Sequence, residues 1–267
     1  MKTVLTVAGS DSSGGAGIQA DLKTILAHGL YGESAITALT AQNTTGVRGV
    51  LDVPPDFVAL QLDCVFEDIP PDAVKIGMVS NAATIRVLAD RLRSHRAKHV
   101  VVDPVMVATS GSRLLNEDAL DVLRAELLPL AELVTPNIPE AEILSGSPIR
   151  SRDDMLQAGR VLARRLPGAV LLKGGHLADC ADDLLLCDGK ETWFRQERID
   201  NPNTHGTGCT LSAAIAAQLG RGESIPEAVR KAKAYVYEAI AHADELGVGH
   251  GHGPTNHFAP LWRNGEL

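Results

Sequence analysis

Short apolar runs and longer amphipathic stretches alternate along the whole chain. The short runs are rich in Val, Ile and Leu and end at Gly, Pro or polar residues, which predicts buried β-strands. The longer stretches carry apolar residues at helical spacing, which predicts α-helices between the strands. The predicted strands cover 3–8, 33–42, 73–78, 100–106, 133–137 and 169–173, and the predicted helices cover 18–27, 57–66, 82–95, 116–128, 151–166 and 224–246.

This alternation predicts an α/β fold in which a mostly parallel sheet lies between layers of helices. One interruption is expected where apolar runs at 183–187 and 191–195 flank Asp188-Gly189, because that dipeptide favours an antiparallel hairpin turn. No repeat, low-complexity tract or linker divides the chain. A single domain over residues 1–267 is therefore predicted.

Composition narrows the function classes. The chain is 45% hydrophobic and only 3% aromatic, so its core must be aliphatic. A net charge of −8 without a basic block argues against a nucleic-acid partner. No apolar run is long enough to span a membrane, and the cysteines form no C-x-x-C pair. We therefore expect a soluble cytoplasmic protein with reduced thiols and no membrane partner.

The stretch 201–219 carries the strongest candidate chemistry. Its Gly206-Thr207-Gly208-Cys209 leads into a run of small helix-forming residues. A helix start leaves backbone N–H groups unpaired and carries partial positive charge, and glycines let a phosphoryl group approach closely. We expect an anion site here, with Cys209 shifted toward thiolate by the same field. The alternative is a glycine turn before a core helix that carries a small buried cysteine.

A second glycine-rich loop, at 9–17, follows the first predicted strand. With Ala20 it formally matches the dinucleotide fingerprint G-x-G-x-x-A, but its glycines lie too far beyond the strand for the tight turn that this fingerprint requires. We favour a polar loop that closes over a small ligand, with Asp11 or Asp21 available for hydrogen bonds.

Polar side chains also stand where predicted strands end. Asp103 is favourably placed, because ligands in open parallel sheets lie beyond the carboxyl ends of the strands. Gln42 stands at the end of an apolar strand and carries an amide that can make two hydrogen bonds to a ligand. Asn137 and Glu140 offer a carbonyl and a carboxylate, which suits a Mg²⁺ ion held mostly through waters. The same pair can form a helix capping box, and both roles are compatible. The alternative for Gln42 is a solvated loop residue.

Sequence motifs follow one another in a defined order, namely AGSDSSGGAGIQADLKT, TALTAQNT, KIGM, VVDPVM, TPNIPEAE, LLKGGH, HGTGC and GPTNHF. Together they resemble the ribokinase-fold kinases, and more closely the hydroxymethylpyrimidine and phosphomethylpyrimidine kinases of thiamine biosynthesis. The resemblance covers nearly the whole chain. It implies a ribokinase-like three-layer α/β/α fold with a mostly parallel central sheet, ATP and Mg²⁺ as cofactors, a small pyrimidine substrate that is phosphorylated twice, and a homodimer.

The resemblance also implies roles for individual residues. Gly206, Thr207 and Gly208 would cradle the transferring phosphoryl group, and Cys209 would accept the proton of the substrate alcohol. The pyrimidine would contact Gly9, Asp21, Gln42, Met78 and Val105, ATP would contact Lys173, Asn137 and Thr207, and the metal would lie at Glu140 and Asp103. The wider ribokinase family carries Asp at the position of Cys209.

Three other functions stay open from the sequence. A related group of pyridoxal kinases also carries Cys at the position of Cys209, so a pyridoxal or pyridoxine kinase is the nearest alternative. An NAD(P)-dependent oxidoreductase would bind its cofactor at Gly15 to Gly17. A catalytically silent ligand-binding module on the same fold is the third.

Overall fold

A computed structural model describes residues 1–106, 115–116, 118–175, 181–259 and 261. Within these ranges the strands are β1 (Thr3–Asp11), β2 (Tyr31–Asn43), β3 (Gly46–Asp52), β4 (Ala73–Ile76), β5 (Val100–Val102), β6 (Leu133–Val134), β7 (Ala169–Leu172), β8 (Asp183–Cys187) and β9 (Lys190–Phe194). The α-helices are α1 (Gly17–Ala27), α2 (Pro55–Asp68), α3 (Ala82–Ser94), α4 (Ala119–Val122), α5 (Ile138–Ser145), α6 (Arg152–Arg165), α7 (Thr207–Gly220) and α8 (Ile225–Ala241).

The strands form one sheet in the order β3-β2-β1-β4-β5-β6-β7-β8-β9. Parallel pairs join the six central strands in the order β2-β1-β4-β5-β6-β7, whereas β3 on one side and β8 and β9 on the other pair antiparallel. The carboxyl ends of the parallel strands therefore lie together along one side of the sheet. This side is the sheet edge that carries the candidate site, and it is distinct from the edge strands β3 and β9. This confirms the predicted α/β class with a mostly parallel sheet.

Helices cover both faces of the sheet. On one face α1, α7 and α8 pack on side chains such as Val4 and Val101. On the other face α2, α3, α5 and α6 pack on side chains such as Leu5 and Val74. Fully burying one aliphatic side chain contributes about 1.5–3 kcal/mol, so both layers stabilise the sheet.

Helix α7 is the most enclosed helix, since every residue from Thr210 to Gly220 is buried. It packs on β1, β4 and β5 of the sheet and against its neighbours α1 and α8 in the same layer. Small residues in the sequence of α7 allow this close approach, as Gly220 shows. A Cβ atom there would lie 3.4 Å from Ala73 and 3.6 Å from Val4. This packing holds the C-terminal end of α7 against β1 and β4.

The predicted hairpin is confirmed. Strands β8 and β9 flank Asp188 and Gly189, whose φ angles of 50° and 73° are both positive. A two-residue turn of this kind requires positive φ at both positions, which Asp-Gly tolerates better than most dipeptides.

Two of the predicted helices were wrong in their extent. The predicted helix 116–128 is broken into α4, a π-turn at Leu123–Leu127 and a 3-10 turn at Leu128–Leu130. Pro129 lies in the last of these turns and has no N–H to donate, so regular α-helical bonding cannot continue through it. The predicted helix 224–246 ends as α8 at Ala241 and continues as a 3-10 turn.

Strand β3 is an element that the sequence did not predict. Its residues are exposed or half-buried and include two glycines, so it lacks the alternation of a half-buried strand. The sequence also predicts a loop at 109–112, between the strand 100–106 and the helix 116–128, and this loop lies outside the described residues. Among the described helices, none is both long enough and apolar enough to cross a bilayer.

Candidate active site

The carboxyl ends of the parallel strands bring most of the predicted site residues to one edge of the sheet. Asp103 follows β5, Asn137 follows β6 and Lys173 follows β7. Asn137 and Lys173 form an isolated parallel bridge, so the ends of β6 and β7 remain in register. Parallel strand order thus assembles polar groups that are far apart in the sequence.

A buried ion pair lies at the centre of this edge. The Nζ atom of Lys173 is 2.6 Å from Oδ1 of Asp103, and the side chain of Asp103 is 3% exposed. The hydroxyl of Thr135 donates to the same Asp103 oxygen at 3.2 Å. Although burial opposes it, the carboxylates of Asp103 and Glu140 raise the pKa of Lys173, so Lys173 stays a cation.

The start of α7 approaches this ion pair directly. A Cβ atom on Gly208 would lie 3.4 Å from Oδ2 of Asp103 and 3.5 Å from Nζ of Lys173. Gly206 has a φ of 83°, and a side chain there would overlap the carbonyl oxygen of Gly15. Glycine is therefore required at Gly206 for both its backbone conformation and the close approach of the first glycine loop.

Asn137 and Glu140 form the predicted capping box at the start of α5. The Asn137 side chain accepts from the Glu140 N–H at 3.0 Å, and Glu140 accepts from the Asn137 N–H at 2.9 Å. Burial raises the pKa of Glu140 to about 7, and Lys173 only partly offsets this. A buried carboxyl in this state gains more than a solvated one from a nearby cation.

Asp103 and Glu140 fit a divalent cation that is completed by other ligands. In the described ranges no group of three or more His, Cys, Asp or Glu side chains is arranged to hold a metal. Mg²⁺ binds through one or two carboxylates, substrate phosphates and waters, so a donor set of two buried acids suits it.

Cys209 lies in the first turn of α7, where its environment differs from the expectation. Burial raises the pKa of the thiol to about 11, and the charge of Lys75 and the backbone N–H of Gly17 only partly oppose this. The shift is opposite to the expectation of a favoured thiolate, because burial and the charges of Asp21 and Asp103 outweigh Lys75 and the Gly17 N–H.

Asp21 is enclosed below the site. Its side chain has no exposed surface and binds Nζ of Lys75 at 2.8 and 2.9 Å, while Thr6 donates to it at 2.5 Å. Gly77 leaves room for this arrangement, since a Cβ atom there would lie 2.7 Å from the Lys75 nitrogen. The structure shows Asp21 holding Lys75, and its contact with a substrate stays a prediction.

Gln42 is half-buried at the end of β2 and faces His205, which precedes the G-T-G loop. His205 in turn contacts Asp11 in the first glycine loop. Gly9 and Met78 lie together on neighbouring strand ends, because a Cβ atom on Gly9 would be 3.0 Å from the Met78 sulfur. 

Val105 is half-buried just beyond β5, where its N–H donates to the carbonyl of Asp103. The predicted pyrimidine contacts thus surround the same sheet edge, apart from the enclosed Asp21.

Sequence reasoning missed His205 and Lys75. His205 belongs to the HGTGC motif, and its position beside the anion loop was the available signal. Lys75 appeared to be part of an apolar strand, and no local pattern shows that its partner is Asp21, 54 positions earlier in the chain.

The sheet order, the enclosed α7 and the G-T-G loop over a Lys–Asp pair define a ribokinase-like kinase. The chain belongs to the phosphomethylpyrimidine kinase family, whose family model matches residues 11–256.

Two curated relatives illustrate the similarity. The chain is 51% identical to the hydroxymethylpyrimidine/phosphomethylpyrimidine kinase of Salmonella typhimurium, over 97% of this chain and 98% of that protein. It is 54% identical to the thiamine biosynthesis bifunctional protein ThiED of Geobacter sulfurreducens, over 96% of this chain. The chain spans only 52% of that longer relative.

Two solved structures share the fold. The phosphomethylpyrimidine kinase of Clostridium difficile superposes with a TM-score of 0.81 at 48% identity, covering 90% of this chain and 100% of that chain. An ADP complex of Bacillus subtilis pyridoxal kinase superposes with a TM-score of 0.90 at 37% identity, covering 97% of this chain and 98% of that chain.

Proposed function

We propose that the protein transfers the γ-phosphoryl group of ATP to the alcohol of 4-amino-5-hydroxymethyl-2-methylpyrimidine. It then adds a second phosphate to the monophosphate, as a step of thiamine biosynthesis. The observation that carries this proposal is the G-T-G start of α7 lying over the Asp103–Lys173 pair, with Gln42 at the same sheet edge. The whole chain, residues 1–267, acts as one kinase domain.

Phosphoryl transfer depends mainly on positioning and charge neutralisation. The backbone N–H groups at Gly206, Thr207 and Gly208 would bind the equatorial oxygens of the transferring group. Lys173 would move from its contact with Asp103 toward the phosphates of ATP. The short distance between the Lys173 nitrogen and the start of α7 supports this role for Lys173.

Mg²⁺ would be held by Glu140 and Asp103, with Asn137 fixing the orientation of Glu140 through the capping box. The ion supplies neutralisation of the phosphate charge during transfer. Release of Asp103 from Lys173, as Lys173 turns to ATP, would leave a second carboxylate free for the ion or its waters.

The pyrimidine would lie against Gly9, Gln42, Met78 and Val105. A side-chain amide both donates and accepts, so Gln42 matches an amino group beside a ring nitrogen. Asp21 would act through Lys75 from below this pocket. Cys209 is our candidate for the proton acceptor of the alcohol.

A pyridoxal kinase is the second candidate, favoured by the high TM-score to the Bacillus subtilis pyridoxal kinase. The two are separated by measuring ATP consumption with the hydroxymethylpyrimidine, its monophosphate and pyridoxal in parallel. We expect both pyrimidines to be phosphorylated with the higher kcat/KM. Preferential turnover of pyridoxal, without extension of the pyrimidine monophosphate, would contradict the proposal, and NAD(P)H binding without turnover would favour an oxidoreductase.

We also propose that the protein is a homodimer joined at the β3 edge of the sheet. Strand β3 has a free edge and exposes Val50 and Leu51, and nearby α2 exposes Phe57 and Leu60. An exposed apolar patch at a free strand edge favours association. The unpaired thiols of Cys64, Cys187 and Cys209 support a reducing, cytoplasmic location.

A further inference from the structure

His205 lies where three segments of the chain meet. Its Nε2 atom is 2.9 Å from Oδ2 of Asp11 in the loop after β1, and 3.3 Å from the amide nitrogen of Gln42 at the end of β2. Its backbone N–H donates to Gly253, and its carbonyl accepts from Thr255. The ring is therefore held by the backbone on one side and faces two polar side chains on the other.

The Asp11 carboxyl acts only as an acceptor. Oδ1 accepts from the backbone N–H and hydroxyl of Ser13, and Oδ2 accepts from the N–H groups of Gly15 and Ala16. Although burial opposes it, hydrogen bonds from His205 and Ser13 lower the pKa of Asp11 well below its usual range. A contact of 2.9 Å to this carboxylate requires a donor, so Nε2 of His205 carries a proton.

This proton decides the orientation of the Gln42 amide. An amide nitrogen facing Nε2–H would set two donors against each other. The amide oxygen is 3.3 Å from the Thr40 hydroxyl, but that hydroxyl donates to the carbonyl of Ser10 at 2.9 Å. A rotation of the amide by a half-turn exchanges its oxygen and nitrogen without changing its shape. The amide oxygen then shares the Nε2 proton of His205 with Asp11 in a three-centre hydrogen bond, and the amide NH₂ group donates to the Thr40 hydroxyl.

We propose that His205 determines substrate specificity by holding the Gln42 amide in one orientation, with its carbonyl on His205 Nε2–H and its NH₂ group beside Thr40. This inference rests on the proposed contact between Gln42 and the pyrimidine. His205 is a positioning residue, since it acts on the substrate through Gln42.

A fixed amide presents an acceptor and a donor in a fixed order. That order matches an amino group next to a ring nitrogen, whereas a pyrimidine with a carbonyl next to a ring N–H requires the reverse order. Wild-type protein should therefore discriminate between the 4-amino substrate and its 4-oxo analogue. An amide released from His205 can turn over and accept either ring.

The test compares kcat/KM for the 4-amino substrate and the 4-oxo analogue in wild type, His205→Leu and His205→Gln. We expect the ratio to fall by about tenfold or more in His205→Leu, because the amide is no longer oriented. His205→Gln should restore most of the ratio, since its NH₂ group can donate to both Asp11 and Gln42. The KM for ATP should change little in either variant. Equal losses for both pyrimidines, with an unchanged ratio, would overturn the inference.

Two further measurements keep the outcome decisive. Gln42→Leu should lose the discrimination while keeping its thermal stability and ATP binding, and retained discrimination would refute the pyrimidine role of Gln42. If His205→Leu fails to fold, the ¹⁵N NMR signals of the wild-type ring report the tautomer. An Nε2 without a proton would overturn the inference, whereas a wild type that phosphorylates neither pyrimidine would refute the proposed function itself.

Discussion

Cys209 lies in the first turn of α7, and its thiol has a raised pKa. The pKa of this thiol is raised to about 11 by burial, so only a small fraction is thiolate near neutral pH. A proton acceptor in this state becomes more effective as the pH rises toward its pKa. The pH dependence of the reaction therefore separates a catalytic Cys209 from a packing residue.

We predict that kcat/KM rises by about tenfold per pH unit between about pH 7 and pH 10, because the thiolate fraction does so. Cys209→Ala should remove this dependence and lower kcat by ~10²–10⁴-fold, the usual range for a general base. Steady-state kinetics across this pH range check both. A flat profile in wild type, or near-wild-type turnover in Cys209→Ala, would remove Cys209 from proton transfer.

At the scale of secondary-structure elements, one residue can serve both the helix and the site, as at the start of α5. Glu140 both caps this helix and is the proposed metal ligand. Gln at the same position still accepts the Asn137 N–H, so the capping box survives, but the negative charge is lost. The substitution Glu140→Gln therefore separates the two roles.

We predict that Glu140→Gln raises the Mg²⁺ concentration needed for half-maximal turnover by at least about tenfold. Its midpoint of thermal unfolding should stay near that of wild type. Asn137→Ala should instead cost about 1 kcal/mol of stability, since it removes the N-cap. Because the pKa of Glu140 is about 7 before the cation binds, wild-type Mg²⁺ affinity should increase as pH rises through 7. Activity titrated with Mg²⁺ and thermal unfolding provide the measurements.

Strand β2 carries a buried carboxyl, that of Glu33, which is not part of the candidate active site. Neither oxygen of Glu33 has a hydrogen-bond partner among the described residues, and the side chain is almost fully buried. Burial raises its pKa from 4.5 to about 7, with the nearby Thr3 side chain opposing the shift and Asp72 adding to it. The folded protein thus binds the proton more tightly than the unfolded chain does.

Stability should therefore fall as pH rises from about 4.5 to about 7, by on the order of 2 kcal/mol from this group. Glu33→Gln should remove this part of the pH dependence and make the protein more stable than wild type at about pH 8. Urea unfolding at about pH 5 and pH 8 measures the difference, with the exposed Glu67→Gln as a control. Parallel pH profiles for wild type and Glu33→Gln would contradict the prediction.

The regular elements could be predicted from the sequence because apolar periodicity reports burial directly. The capping box at Asn137 and the Asp188-Gly189 turn were equally accessible, since local chemistry determines both. Strand β3 was not, because an exposed edge strand carries no buried face to create a pattern. Lys75 and His205 were missed for a different reason: their partners are distant in sequence, and only the folded sheet brings them together.

At the scale of the whole molecule, substitutions on strand β3 can test the proposed homodimer. Leu51 is 67% exposed on β3, and Leu26 is 67% exposed on α1. We predict that Leu51→Arg shifts the protein from dimer to monomer, because it places a charge in the apolar patch, whereas Leu26→Arg leaves the dimer intact. Sedimentation velocity at several concentrations checks this. A monomeric wild type, or a dimer unaffected by Leu51→Arg, would contradict the proposed interface.

The contact between His205 and the segment around Pro254 also has a consequence for the timing of synthesis. Loop residues near Thr44 and Gly15 lie against Gly251 and His205, which belong to the last quarter of the chain. A ribosome releases the N-terminal strands first, so β1 and β2 can form early while their loops still lack these partners. The contacts that hold His205 beside Gln42 form only after Gly253, Pro254 and Thr255 have emerged. We therefore expect a chain interrupted before that point to retain the residues of all nine described strands but to lose the backbone contacts that hold His205 beside Gln42.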